Sequence, residues 1–248
     1  MAAPTYTPND AINLATALNH KAPSQTMQIY ACDLMYSRIW TKFPWNWTKQ
    51  ALTDITLVDG TQDYSLGGSD LTSFYRFVNI EIKDTSQTPT PRRFLTQKNH
   101  LSVETVTKGG LDSIRFYSWE STINKIRLDY AAAVPSATVL KLEGEFQIMP
   151  TKITVSNLGT ALVLPDHYFN VFLEGVRWKF YELTDDSRAG VVQVVQGRQV
   201  YTGQLAVFMD AFTDMTKAED FSDGEDTVYP AGGTLGQGKD VFWPRVFG

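Results

Sequence analysis

The sequence predicts an α+β fold: helices from the two ends of the chain form one bundle, and a large β-sandwich or barrel-like region is inserted between them. Three observations predict it. Apolar residues recur at steps of three and four from about Thr7 to Trp40 and again from about Pro165 to Ala218. Between these stretches, roughly Ala51 to Val163, the period drops to two and turn residues come at close intervals. Past Asp220, Gly224, Gly232, Gly233, Gly236 and Gly238, with Pro230, oppose a packed element, so an extended tail follows. On this reading residues 1–48 and 164–220 are the bundle helices, 49–163 the β insert and 221–248 the tail.

Thr7-Pro8-Asn9-Asp10 begins the first helix, with a capping hydroxyl, a proline at the first turn and an acid near the positive end. Ala11, Leu14, Ala15 and Leu18 give that helix its face, and His20-Lys21-Ala22-Pro23 ends it. Met27, Tyr30, Ala31, Leu34 and Met35 predict a second helix running to about Trp40. Phe43-Pro44-Trp45-Asn46-Trp47 then gathers three aromatics at the junction with the β region. Such a cluster serves either as packing or as a stacking platform for a sugar or base.

Ile55 and Leu57, the Asp59-Gly60 turn, and Tyr64 and Leu66 predict a β-hairpin. Val78, Ile80 and Ile82 alternate with polar residues as one strand, and Ile114 to Ser118 and Ile126 to Tyr130 as two more. One short helix is expected between Lys98 and Thr105. Val139–Leu142, Phe146–Met149 and Ile153–Val155 read as shorter strands. Pro165 and Asp166 restart the helical period, carried by Tyr168, Val171, Phe172, Gly175 and Trp178. A long final helix presents Val194, Gly197, Tyr201, Leu205, Phe208, Phe212 and Met215, although Val191-Val192 and Val194-Val195 also suit a strand. Gly197 and Gly203 weaken that helix and suit close helix contact.

Hydrophobic content of 43% and a formal charge of −5 describe a folded chain without general affinity for nucleic acid, which needs clustered Lys and Arg. The densest basic spot is Arg92-Arg93. The single cysteine, Cys32, excludes an intramolecular disulfide and a thiolate metal cluster, and reads as a buried hydrophobe. No signal peptide is visible, and no apolar run approaches the roughly 20 residues of a membrane span.

Catalysis finds no constellation. His20, His100 and His167 show no metal-ligand spacing, and His167 beside Asp166 reads as a solvated first-turn pair. Glu143, Glu145 and Asp166 offer a glycosidase-like pair only in the sense that any chain with 27 acidic residues does. Asp220, Asp223, Glu225 and Asp226 lack calcium-loop spacing. The sequence therefore implies no enzyme, cofactor or metal.

The tail finishes Val241-Phe242-Trp243-Pro244-Arg245-Val246-Phe247-Gly248. Burying Phe242, Trp243 and Phe247 is worth roughly 11–19 kcal/mol. Ordering about eight residues costs roughly 8–16 kcal/mol in backbone entropy. One tail docking alone is marginal, whereas many tails presented by a ring gain from effective concentration. The 28 residues from Phe221 to Gly248 reach at most about 90 Å. Val241, Phe242, Trp243, Pro244, Arg245, Val246 and Phe247 are thus the candidate partner-binding residues.

The succession of helix pair, Phe43-Pro44-Trp45-Asn46-Trp47, Ile55-Thr56-Leu57, Tyr64-Ser65-Leu66 and the return Ala161-Leu162-Val163-Leu164-Pro165-Asp166-His167-Tyr168 into Phe172-Leu173-Glu174-Gly175 resembles a known family. It is similar to the head-to-tail adaptors, or tail accessory factors, of tailed bacteriophages, over roughly Thr7 to Met215. The resemblance implies a ring of copies, commonly twelve, beneath the portal protein in the virion neck, after synthesis in the host cytoplasm. Such a ring extends the DNA channel, passes DNA without specific binding, touches no membrane and docks a downstream tail protein. Family members often grip the portal through a C-terminal segment, a role carried here onto Val241 to Phe247. The long β insert and the aromatic end depart from the family pattern. A second expectation, of another class, is a β-domain binding module that recognises a glycan or cell-surface polymer through the tryptophans near Trp45. A virion-borne peptidoglycan-cleaving enzyme is a third and lacks its carboxylates.

Overall fold

Thr7 starts the first helix through a reciprocal cap. Its Oγ1 accepts from the Asp10 N–H at 3.2 Å, and the Asp10 carboxylate accepts from the Thr7 N–H at 2.8 Å. The structure, a computed structural model, describes residues 4–18, 22–99, 101, 107–195 and 198–222. Helices α1 (Pro8–Ala17) and α2 (Gln25–Lys42) come first. Strands β1 (Lys49–Ala51), β2 (Ile55–Thr56) and β3 (Asp63–Ser65), a short α3 (Gly68–Ser73) and the long β4 (Phe74–Asp84) follow. Then come β5 (Arg92–Phe94), β6 (Thr96–Gln97), β7 (Lys108–Gly109), β8 (Phe116–Glu120), β9 (Lys125–Leu128), β10 (Ala131–Ala132) and β11 (Leu140–Ile148). Helix α4 (Phe169–Leu183), strands β12 (Val192–Val195) and β13 (Arg198–Tyr201), and α5 (Gly203–Ser222) complete the order. The chain is mixed α+β, with several sheets and, among the described residues, none closed into a barrel.

Two compact units divide the chain: Met1–Thr48 with Met149–Ser222, and Lys49–Ile148. In the helical unit α4 packs against α1, α2 and α5. Phe172, Val176 and Phe180 lie one turn apart on α4 and are fully buried, with Met35 and Ile39 of α2 and Phe208 and Phe212 of α5 also in the core. Each such side chain contributes about 1.5–3 kcal/mol through burial. Gly175 permits the approach: a Cβ there would sit 2.7 Å from Met35 Cε and 3.1 Å from Phe208 Cε2. Met149–Ser222 belongs to this unit, whereas the change of period places the boundary after Val163. The strand expected at Ile153–Val155 is instead a turn. Thr154 and Asn157 cap each other around the short 3-10 helix Val155–Asn157, and the Ile153 N–H donates to Asp33 Oδ1 at 2.7 Å.

The predicted final helix begins late. Val192–Val195 and Arg198–Tyr201 pair as an antiparallel hairpin, and only then does α5 start. The β-branched run won, because four valines crowd a helix but suit a pleated strand. Leu205, Phe208, Phe212 and Met215 do form the buried stripe of α5. Gly203 has φ +58°, so it serves the hairpin-to-helix joint rather than a helix contact, and Gly197 lies outside the described residues.

In the β unit one sheet runs β1-β11-β4-β5, with β2 also on β11, and a second runs β3-β9-β8-β6. Strands β7 and β10 form a separate parallel pair. The Asp59-Gly60 turn forms, with Gly60 at φ +77°, but its flanks do not make the expected hairpin. Ile55–Thr56 pairs with β11 while Asp63–Ser65 pairs with β9, so the chain changes sheets at the turn. Leu140–Ile148 is one strand across Gly144 rather than two. The alternation of Val78 with Ile80 and Ile82 also fails. Between Glu145↔Asn79 and Phe146↔Phe77 the register shifts and Val78 is the extra residue, so Phe77 turns inward in its place. The core gathers Phe74, Phe77, Ile80, Tyr117, Ile126 and Phe146. The short helix expected near Lys98–Thr105 lies mostly outside the described residues.

Candidate functional site

Val241, Phe242, Trp243, Pro244, Arg245, Val246 and Phe247 lie outside the described residues, as do His20 and His100.

The aromatic junction is committed to packing. Pro44 breaks α2, and the chain turns so that Trp45 enters the helical core, where it is fully buried. Its Nε1–H donates to the Ile39 carbonyl at 2.7 Å, satisfying the indole without a ligand. Trp45 stacks on Trp47 at 6.2 Å and meets Phe212 of α5 edge-on at 5.9 Å, while Trp47 meets Trp40 at 5.0 Å. Trp40 and Phe43 are also buried. No free ring face of Trp45 is left for a sugar or base.

The acidic candidates are held in structural pairs. Asp166 accepts from the Thr5 N–H at 2.8 Å and from its hydroxyl at 2.7 Å, and these bonds hold its carboxyl below the usual range. Glu143 takes the Lys83 ammonium at 3.1 Å. Glu145 accepts from Asn79 Nδ2 at 3.2 Å. His167 lies against the Tyr168 ring, 4.0 Å between centroids. Tyr168 in turn donates to Glu219 Oε1 at 2.8 Å, tying the start of α4 to the far end of α5.

The β12–β13 hairpin groups several exposed valines. Its base is fixed. The Val191 N–H donates to Thr202 Oγ1 at 3.0 Å, and the Thr202 N–H returns to the Val191 carbonyl at 3.1 Å. Gly190, at φ +81°, lets the strands close, since a Cβ would collide with the Thr202 carbonyl. Arg188 holds Asp186 and lies over the Tyr181 ring at 4.4 Å, which anchors the turn before the hairpin to α4. Above that base Val192, Val194, Val195 and Val200 are exposed. The paired valines Val191-Val192 and Val194-Val195 were the signal in the sequence; helical spacing downstream masked it.

No protein-family profile matches the chain, and no curated protein sequence matches it. Among the described residues no helix is long and apolar enough to cross a membrane.

Proposed function

We propose that this chain is a structural protein of a bacteriophage neck, a head-to-tail adaptor whose copies form a ring beneath the portal. The ring extends the DNA channel in the virion and offers its lower face to the next tail component. What carries the reading is that α1 and α2 share one unit with α4 and α5 while about a hundred residues of β structure separate them in sequence. A bundle closed by both ends of the chain gives a rigid spoke for a ring, and the inserted β unit gives each spoke a second body for a second set of contacts. A net charge of −5 suits a conduit through which DNA must slide, since tight phosphate binding would stall it. In this reading Val241 to Phe247 grip the portal, many tails acting together.

The test is co-sedimentation with purified portal rings. Removing Val241–Gly248 is expected to abolish association while the truncated chain keeps its melting temperature. Undiminished association of the truncated chain would reject the gripping role, and failure of the intact chain to bind any portal assembly would reject the adaptor itself.

A further inference from the structure

The β12–β13 hairpin is an incomplete sheet. Among the described residues it pairs with no other strand, so both outer edges carry open backbone donors and acceptors. A two-stranded sheet standing by itself in water is marginal. Both faces also carry exposed valines. Cross-strand pairing puts Val192, Val194 and Tyr201 on one face, and Val195 and Val200 on the other. Val194 is 71% exposed and the remaining valines 42–49%, while Tyr201 is half-buried where β13 meets α5. Natural sheets protect such edges with lysine, glutamate or proline. Here the eight strand residues hold a single charge, Arg198.

Two open edges decide what kind of partner fits. A different protein adding one strand would satisfy one edge and leave its opposite open. A copy of the same hairpin satisfies both at once, because the β13 edge of one molecule takes the β12 edge of the next, and so on around. We propose that the hairpin is a joint between copies of this chain, in which successive hairpins line up edge to edge as one antiparallel sheet. Joining two different edges is a head-to-tail contact, which closes into a ring when the rotation per copy permits. A closed circle of strands has no edge left.

The size of the joint sets its behaviour. A four-residue strand about 13 Å long on a sheet about 10 Å thick presents an edge on the order of 130 Å², well below the roughly 800 Å² per partner of a stable pairwise interface. A single joint therefore holds no dimer, and the assembly goes from monomer to closed form with little between. The inference rests on the ring reading for its closure, while the joint itself rests on the hairpin.

Sedimentation velocity on the full chain across a concentration series tests it, with Val194→Lys placing a charge on the edge strand and Val194→Thr keeping the β-branched shape. Wild type and V194T are expected to pass from monomer to one large species without a dimer. V194K is expected to raise the concentration for half-assembly by about tenfold or more with an unchanged melting temperature. Equal assembly by V194K, or a wild type that stays monomeric throughout, would overturn the joint. Assembly into open filaments, or into rings that ignore portal, would keep the joint and overturn the adaptor reading instead. V194K that coats portal rings as fully as wild type would overturn the joint and leave the adaptor standing.

Discussion

Arg127, on β9, is 8% exposed and gives Nε and Nη2 to the Asp63 carboxylate at 2.8 and 3.0 Å. A guanidinium so placed supports a planar two-point bond that lysine cannot copy. That bond holds the Asp63 carboxyl below its usual range. A carboxylate with a depressed folded pKa adds stability that is fully present above its unfolded value, about 3.9. The contribution disappears as pH falls through the lower folded value. Wild type is therefore expected to lose stability below about pH 4 in a step that Asp63→Asn lacks. At neutral pH, D63N is expected to cost about 1–2 kcal/mol in urea denaturation, discounted from a fully buried pair because Asp63 is partly exposed. Cys32 makes a second residue-scale case. Burial first, and then the charge of Asp33, push its thiol up to about 12. The thiolate fraction near pH 8 is thus about a thousandfold below that of an ordinary thiol. Native protein is expected to resist iodoacetamide and to react once unfolded; fast native labelling would mean that the inner face of α2 opens.

At the scale of elements, α4 packs against the three other long helices of its unit, and at Gly175 it lies close to Met35 of α2 and Phe208 of α5. Gly175→Ala is expected to destabilise by about 1–3 kcal/mol through overpacking. The Met35 methyl can swing aside, but the Phe208 ring stacks on Trp178 at 5.8 Å and 10° and has less room to yield. Urea midpoints measure this, and a neutral G175A would show that α5 can slide. Elements whose cause is local were legible in the sequence. Thr7 and Asp10 cap α1 as their spacing demanded, and Phe208, Phe212 and Met215 stripe α5. Elements whose cause is distant were not. Ile55 and Tyr64 flank a sound turn yet join different sheets, because longer strands elsewhere compete for their edges. Val78 sits in a bulge that only its partner β11 specifies. In the candidate site the valine run was visible, but a strand pattern four residues long cannot outvote a helical stripe that begins just after it.

The whole molecule combines a helical unit assembled from both flanks of the sequence with a β unit read from its middle, whose first and last strands are paired. Lys49, the first residue of the β unit, stands opposite Gln147, next to its last, as a paired position of β1 and β11. Directly opposed residues in an antiparallel ladder have Cα atoms about 4.5–5.5 Å apart. The chain therefore enters and leaves the β unit at points one strand pair apart. Evolution could exchange such a cassette for one of different size or recognition by recombining at two neighbouring points, without re-threading the helices. Lineages sharing this scaffold would then diverge fastest between Lys49 and Ile148, while the flanking halves keep pace with each other.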